Sequence, residues 1–313
     1  MPGVSEGFPR TGYVRTVGAD RIGRMTHNDR VVIEEPVAAA VETGFTPPSA
    51  RGARWPAIVL PPLLLTGVVI GVWYFFSYVV LVPRRRFLLR PPHDVVQKGF
   101  LEWDTFSTIL DSLWSSAKVA LIGLAISILL GMFVAVLMSQ TKLIERAVFP
   151  YMVVLQAIPI LAIVPLIGFW FGYGLNARVI VCVIISIFPI IANTLFGLQS
   201  ADASMHDLFT LHRAGRLTRL RKLMFPAALP AIFAGLRISA GLSVIGAIVG
   251  DFFFGQGDAG IGQDLRKYAN NLDGEELFTA VIMASLLGVA IFLAVNFLER
   301  RMTGKWREAA RAR

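Results

Sequence analysis

Six apolar stretches, at about 56–82, 113–138, 148–172, 178–199, 230–254 and 278–298, dominate this 313-residue chain. Each is close to the roughly 20 residues a helix needs to cross the hydrocarbon of a bilayer. Membrane-spanning strands would read as ~10-residue alternating segments. The chain is therefore expected to be an all-α, polytopic membrane protein with about six transmembrane helices. Composition agrees: 16% of residues are charged, against about 25% in soluble domains. Pro159, Pro165 and Pro189 fall inside the third and fourth stretches. Proline is tolerated in a span where neighbours satisfy the freed carbonyls, so kinks facing protein are expected there.

The net charge of +9 does not point to nucleic acid, because the basic residues gather at the edges of the apolar runs. That placement suits anionic headgroups and the cytoplasmic bias of Lys and Arg. With the N-terminus inside, fifteen basic residues near the membrane fall on the inner side and eight on the outer. Both termini are expected in the cytoplasm. The run Arg84–Arg86 points the other way: either it is tolerated outside, beside four acidic residues before the second span, or the first span is misread. Residues 1–55 read as a disordered cytoplasmic extension rather than a signal peptide, since no apolar core lies near Met1. Residues 56–299 form the membrane domain, with a cytoplasmic loop at 201–229, and 300–313 a basic tail.

Little in the chain suggests catalysis. Cys182 is the single cysteine, so neither a disulfide framework nor a thiolate metal site arises within one chain. His206 and His212 are six apart, on different helix faces. No nucleophile–base set, paired carboxylates or phosphate-binding loop is apparent. Gly255, Gly257 and Gly260 satisfy G-x-G-x-x-G, but they follow a spanning helix rather than a strand and are expected to form a turn with positive φ.

Polar residues inside the spans are costly in lipid: Gln156, Asn193, Thr194, Ser239, Ser243 and Asp251. They are expected either to line a translocation path or to bond helix to helix. Asp251, near the outer end of the fifth stretch, has an interfacial location as a further alternative. Gly235, with Ala240, Gly241, Gly246 and Gly250, allows close packing. Carboxylates at mid-span are scarce, which disfavours an ion-coupled secondary carrier and favours an external motor.

The stretch "DLFTLHRAGRLTRLRKLMFPAALP", Asp207 to Pro230, lies between the fourth and fifth spans. Leu217, Leu220 and Met224 form one apolar stripe; Leu208 and Leu211 form another. The pattern reads as helix, turn relieved by Gly215, helix, then a stop at Pro226 and Pro230. Docking of a motor and anchorage on headgroups both fit such a basic amphipathic hairpin.

These residues, followed by "FPAALPAIFAGLRIS" (Phe225–Ser239), an acidic residue at the end of the span and "GIG" (Gly260–Gly262), resemble the inner-membrane permease subunits of binding-protein-dependent ABC importers. "QAIPILAIVPLIGFWFGYGLNARVI" (Gln156–Ile180), "FPIIANTLFGL" (Phe188–Leu198) and "LERRMTGKW" (Leu298–Trp306) extend the resemblance over about residues 110–306. The branch is the one importing sulfonates, taurine, nitrate, riboflavin or hydroxymethylpyrimidine. The family's coupling loop carries E-A-A-x3-G. Here Asp207 keeps the carboxylate, Leu208 and Phe209 replace the alanines, and Arg213 replaces the glycine, with Gly215 two residues later.

The resemblance implies a cytoplasmic coupling helix that docks an ATPase through Asp207, Leu208, Leu211, Arg213, Ala214, Gly215, Arg216 and Leu217. It implies turns at Pro226, Pro230, Gly235, Gly260 and Gly262. The implied partners are ABC ATPase subunits that bind the ATP, an external substrate-binding protein, a second, identical permease copy, and membrane lipids. No cofactor or metal of its own is implied. The substrate leans to a heterocyclic vitamin precursor, with a sulfonate, taurine or nitrate as the alternative.

Overall fold

In a computed structural model of the chain, residues 55–311 are described, with side chains from Val59 to Met302. The extension expected over residues 1–55 thus lies outside the described residues, Trp55 excepted. Contacts divide the chain into two units, Met1–Leu60 and Pro61–Arg313. Of the first unit, only the helical start Trp55–Leu60 is described. No strand occurs among the described residues.

Helix α1 (Trp55–Phe75) continues as a π-helical turn, Phe76–Val80. The segment Val59–Val80 is only 6% buried, so this apolar span presents nearly all its surface to lipid or to another chain. The link that follows, with a one-turn α2 (Pro92–Asp94), folds onto the start of α11 (Gly274–Arg311). Trp73 Nε1 donates to the Arg90 carbonyl (2.9 Å), and Gly99 lies so close to Thr279 that any Cβ would collide with it. Arg90 and Lys98 pair with Glu275 at 3.0 and 2.8 Å. The basic link is therefore neutralised in part from the sixth span, a partner 177 residues from Lys98; Arg86 sits over the Tyr78 ring.

The core is built by α3 (Trp103–Gln140), α6 (Leu175–Gln199) and α9 (Phe225–Phe253). Val119 and Leu124 pack with Cys182, Ile190, Ala240 and Val244, and α11 adds Ile291. Close approach is set by small residues, as expected where lipid offers no hydrophobic drive between helices. At Gly246 a Cβ would meet the Cys182 backbone at 2.7 Å, and at Gly235 the Pro189 carbonyl at 2.7 Å. Gly235 is thus a helix-crossing residue within α9, not a turn.

The expected third span, 148–172, is broken in two. Helix α4 (Lys142–Ala157) and α5 (Ile160–Phe171) meet at 99°. Pro159 has no N–H to continue the ladder, and it holds Ile158 in extended conformation (φ −66°, ψ 127°). The pair counts as one interrupted span, so among the described residues five helices are long and apolar enough to cross, six with this pair.

The fifth span also differs. Pro226 and Pro230 do not stop a helix, because helix runs from α8 (Arg216–Arg219) through a π turn, Leu220–Met224, into α9. Pro226 sits in the first turn of α9, and the wider π turn just before it absorbs the missing N–H. Beyond α9, a short amphipathic α10 (Ile261–Asn271) precedes α11. Hydropathy does not reveal this helix, because its polar face hides it among loop residues.

Candidate functional site

The loop between α6 and α9 is a helical hairpin. Asp202 caps α7 (Ala203–Leu211), accepting from the Ser204 amide at 3.2 Å. The chain then reverses at Arg213, whose φ is +49°. The Arg213 amide bonds the Thr210 carbonyl and the Ala214 amide the Phe209 carbonyl, both at 2.9 Å. These are the paired bonds of a Schellman turn, which needs a left-handed residue at Arg213. Arg213 thus adopts the conformation that glycine takes most cheaply. Gly215, expected to relieve the turn, is instead extended (φ −64°, ψ 161°) and leads into α8. Arg219 Nη2 donates to Thr210 Oγ1 (2.9 Å), closing the hairpin.

The apolar residues divide between two surfaces. Leu220 and Met224 turn inward against Leu198, Ala228 and Ile232. Leu208, Leu211 and Leu217 remain exposed, the last two at 80% and 75%. Asp207, Arg213, Gly215 and Arg216 are also exposed, and Ala214 is half-buried. Every candidate of this group therefore lies on one compact hairpin.

At the far end of the same bundle is a buried charge cluster. Asp251, fully buried near the end of α9, pairs with Arg178 of α6, which is 2% exposed. Arg178 Nε donates to Asp251 Oδ1 at 2.5 Å, and Ser116 of α3 donates to Oδ2. Arg178 further donates to the Asp258 carbonyl (3.0 Å) and Ser115 Oγ (3.3 Å), and Ser116 Oγ accepts from the Ile261 amide (2.8 Å). A Cβ on Gly260 would overlap the Asp251 carboxylate, and one on Gly262 the Ile248 carbonyl. Both glycines serve close approach, with Gly260 extended (φ −106°); of the glycine-rich run, Gly257 takes positive φ, at 92°. The loop is pinned further by Phe254, buried among Val164, Ile167, Ala177 and Val181.

Asp251 is therefore an internal tie, not an interfacial group. Arg178, Ser115 and Ser116 were missed in sequence. The available signal was complementary charge at the same depth, an arginine opening the fourth span and an aspartate closing the fifth. A second missed pair, Arg237 to Glu299 at 3.4 Å, joins α9 to α11 nearer the other end. On α10, Asp264 is pushed above the usual carboxylate range by burial, despite a bond from Ser112. Burial, followed by the Asp264 charge, carries Tyr268 up to about 12.

The remaining polar candidates separate by environment. Ser239 is fully buried and donates to the Ser186 carbonyl of α6 (2.6 Å), a helix-to-helix bond. Ser243 bonds within α9 to the Ala240 carbonyl (2.9 Å), and Thr194 is buried in α6. Asn193 Nδ2 donates to the Pro189 carbonyl (2.8 Å). Gln156 is exposed, at the margin of a cavity of about 240 Å3 formed where α4 breaks against α6. The structure does not bring these six together.

Residues 127–304 match the family described as "Binding-protein-dependent transport system inner membrane component". The chain is 33% identical over 250 residues to the formylaminopyrimidine transport permease protein ThiX of Halalkalibacterium halodurans, covering 80% of this chain and 96% of that one. It is 28% identical over 262 residues to the riboflavin transport system permease protein RibX of Chloroflexus aurantiacus, covering 82% and 93% respectively. A solved amino acid ABC transporter chain shares the fold with a TM-score of 0.53 at 20% identity, over 64% of this chain and 98% of that one. The chain belongs to the family of binding-protein-dependent inner-membrane transport components, as a non-catalytic, multi-pass ABC importer permease.

Proposed function

We propose that the chain forms half of a substrate pore and that the hairpin at 201–229 receives an ABC ATPase subunit. A small polar organic solute passes from an external binding protein to the cytoplasm, driven by ATP bound on those partner subunits. Two identical copies make the pore, with N- and C-termini in the cytoplasm. Residues 1–55 and 300–313 then flank the membrane domain on that side. The solute is a heterocyclic vitamin precursor, a reading supported by the names of two relatives; a sulfonate, taurine or nitrate importer is the alternative.

One observation carries the docking role: three exposed leucines, Leu208, Leu211 and Leu217, sit on a hairpin whose turn is closed by its own hydrogen bonds. A rigid handle transmits displacement, whereas a floppy loop would absorb it. A headgroup anchor is the competing role for the same basic hairpin. Replacing Leu211 and Leu217 with aspartate separates the two. Docking predicts loss of ATPase co-purification from detergent, with unchanged thermal stability of the permease. Intact co-purification and ATP hydrolysis in that double variant refute it.

A further inference from the structure

We propose that the cavity at the break between α4 and α5 is a substrate subsite for a single-ring, neutral nitrogen heterocycle carrying N–H donors. The proposal rests on the importer role given above and deepens it. The cavity, of about 240 Å3, is lined by Leu155, Gln156 and Ile158 of the break, Ile184–Pro189 of α6 in part, and Leu242 of α9.

Two prolines define its chemistry. In a helix the carbonyl of residue i accepts from the amide of residue i+4. Pro159 stands four residues after Leu155, and Pro189 four residues after Ile185. Neither proline has an N–H to give. Two cavity-lining residues, from two different helices, have therefore lost the ordinary partner of their backbone carbonyl. The break also leaves the last carbonyls of α4 without a following turn, at the negative end of that helix.

Depth adds to the cost of leaving such groups alone. Ile185 is ten residues into the 25 of α6, or about 15 Å at 1.5 Å per residue. That is near the middle of a hydrocarbon layer roughly 30 Å thick. An unpaired carbonyl there costs about 1–3 kcal/mol, so a ligand that donates to it gains what lipid cannot supply. Discontinuous helices at the midplane are a general route to such sites.

The lining also selects against anions. No lining side chain is charged, and the polar ones reduce to the Gln156 amide, which both donates and accepts. A sulfonate or nitrate would meet carbonyl oxygens and no compensating cation. An amino-substituted ring would donate to carbonyls, exchange bonds with Gln156 and lie against Phe188. Size discriminates as well: the cavity is below the roughly 300–1,000 Å3 typical of drug-sized sites, so it accepts one ring more readily than a fused three-ring system.

The test uses the complete transporter in membrane vesicles. Cys182 is buried, so Leu242→Cys introduces an accessible thiol on the cavity wall. Hydroxymethylpyrimidine is expected to slow maleimide labelling of that thiol, with taurine and riboflavin giving no protection. Gln156→Leu and Pro189→Ala, the latter restoring an N–H to the Ile185 carbonyl, should each weaken that protection by roughly three- to tenfold. Protection by taurine, or none by the pyrimidine, overturns the site. Retained ATPase binding and ATP-driven uptake in the same vesicles show that the importer role stands even so. If Pro189→Ala fails to assemble, Gln156→Leu alone decides: unchanged protection refutes the subsite.

Discussion

Replacing Arg178 with methionine removes the cation that neutralises a fully buried carboxylate. Asp251 takes hydrogen bonds from Arg178 and Ser116, with the Gly262 amide beside it. Breaking a buried pair by deleting one partner costs about 3–5 kcal/mol, because the other charge stays in low dielectric. The converse variant, Asp251→Leu, strands Arg178, which is 2% exposed, and should cost a similar amount. Removing both charges leaves only neutral groups, each short of one bond: Ser116 Oγ, which keeps the Ser112 carbonyl and the Ile261 amide, the Gly262 amide, and the Asp258 carbonyl, which keeps Ser115 Oγ. At about 1 kcal/mol each, the double variant should lose roughly 2–3 kcal/mol, far below the sum of the singles. Unfolding in mixed micelles with increasing dodecyl sulfate measures all three variants. A coupling energy of about 3 kcal/mol or more is expected. Additive losses, or an Arg178→Met variant within 1 kcal/mol of the parent, refute the tie.

Two further outcomes follow from the hairpin and from α10. Arg213→Gly should preserve ATPase association and raise stability by about 1 kcal/mol, since glycine takes positive φ without strain; Arg213→Val should lower both, as read by thermal unfolding and co-purification. Asp264 has its folded pKa raised by burial, so the folded state holds that proton more tightly than the unfolded chain. Stability is then greatest below the ordinary aspartate value of about 3.9 and falls as pH rises from there through the raised value. Asp264→Asn should flatten that decline and melt at higher temperature than the parent near neutral pH. A melting profile that declines equally in both proteins contradicts the assignment.

Much of the architecture was legible because it is local. A bilayer forces backbone groups to bond within the segment, so runs of about 20 apolar residues announce helices without reference to neighbours. The hairpin was legible for a related reason: its leucine spacing and its position between two spans are properties of a few consecutive residues. Its turn was harder. Gly215 was the natural candidate for the reversal, yet the Schellman bonds place the left-handed residue at Arg213, and composition favours glycine only statistically.

The order of the apolar spans, their approximate positions, the membrane setting and the place of the basic hairpin were determined by sequence alone, through hydropathy and short-range periodicity. Tertiary structure decided the rest. It joined Arg178 to Asp251 across 73 residues, assigned Glu275 to Arg90 and Lys98, turned Ser239 toward α6 and bent the third span by 99°. It also brought Leu155 and Ile185, each four residues before a proline, to the lining of one cavity. The physical reason is common to all of these. A charge, a hydroxyl or a freed carbonyl in a membrane must find a partner, but which partner depends on helix rotation and depth, and those are set only when the bundle packs.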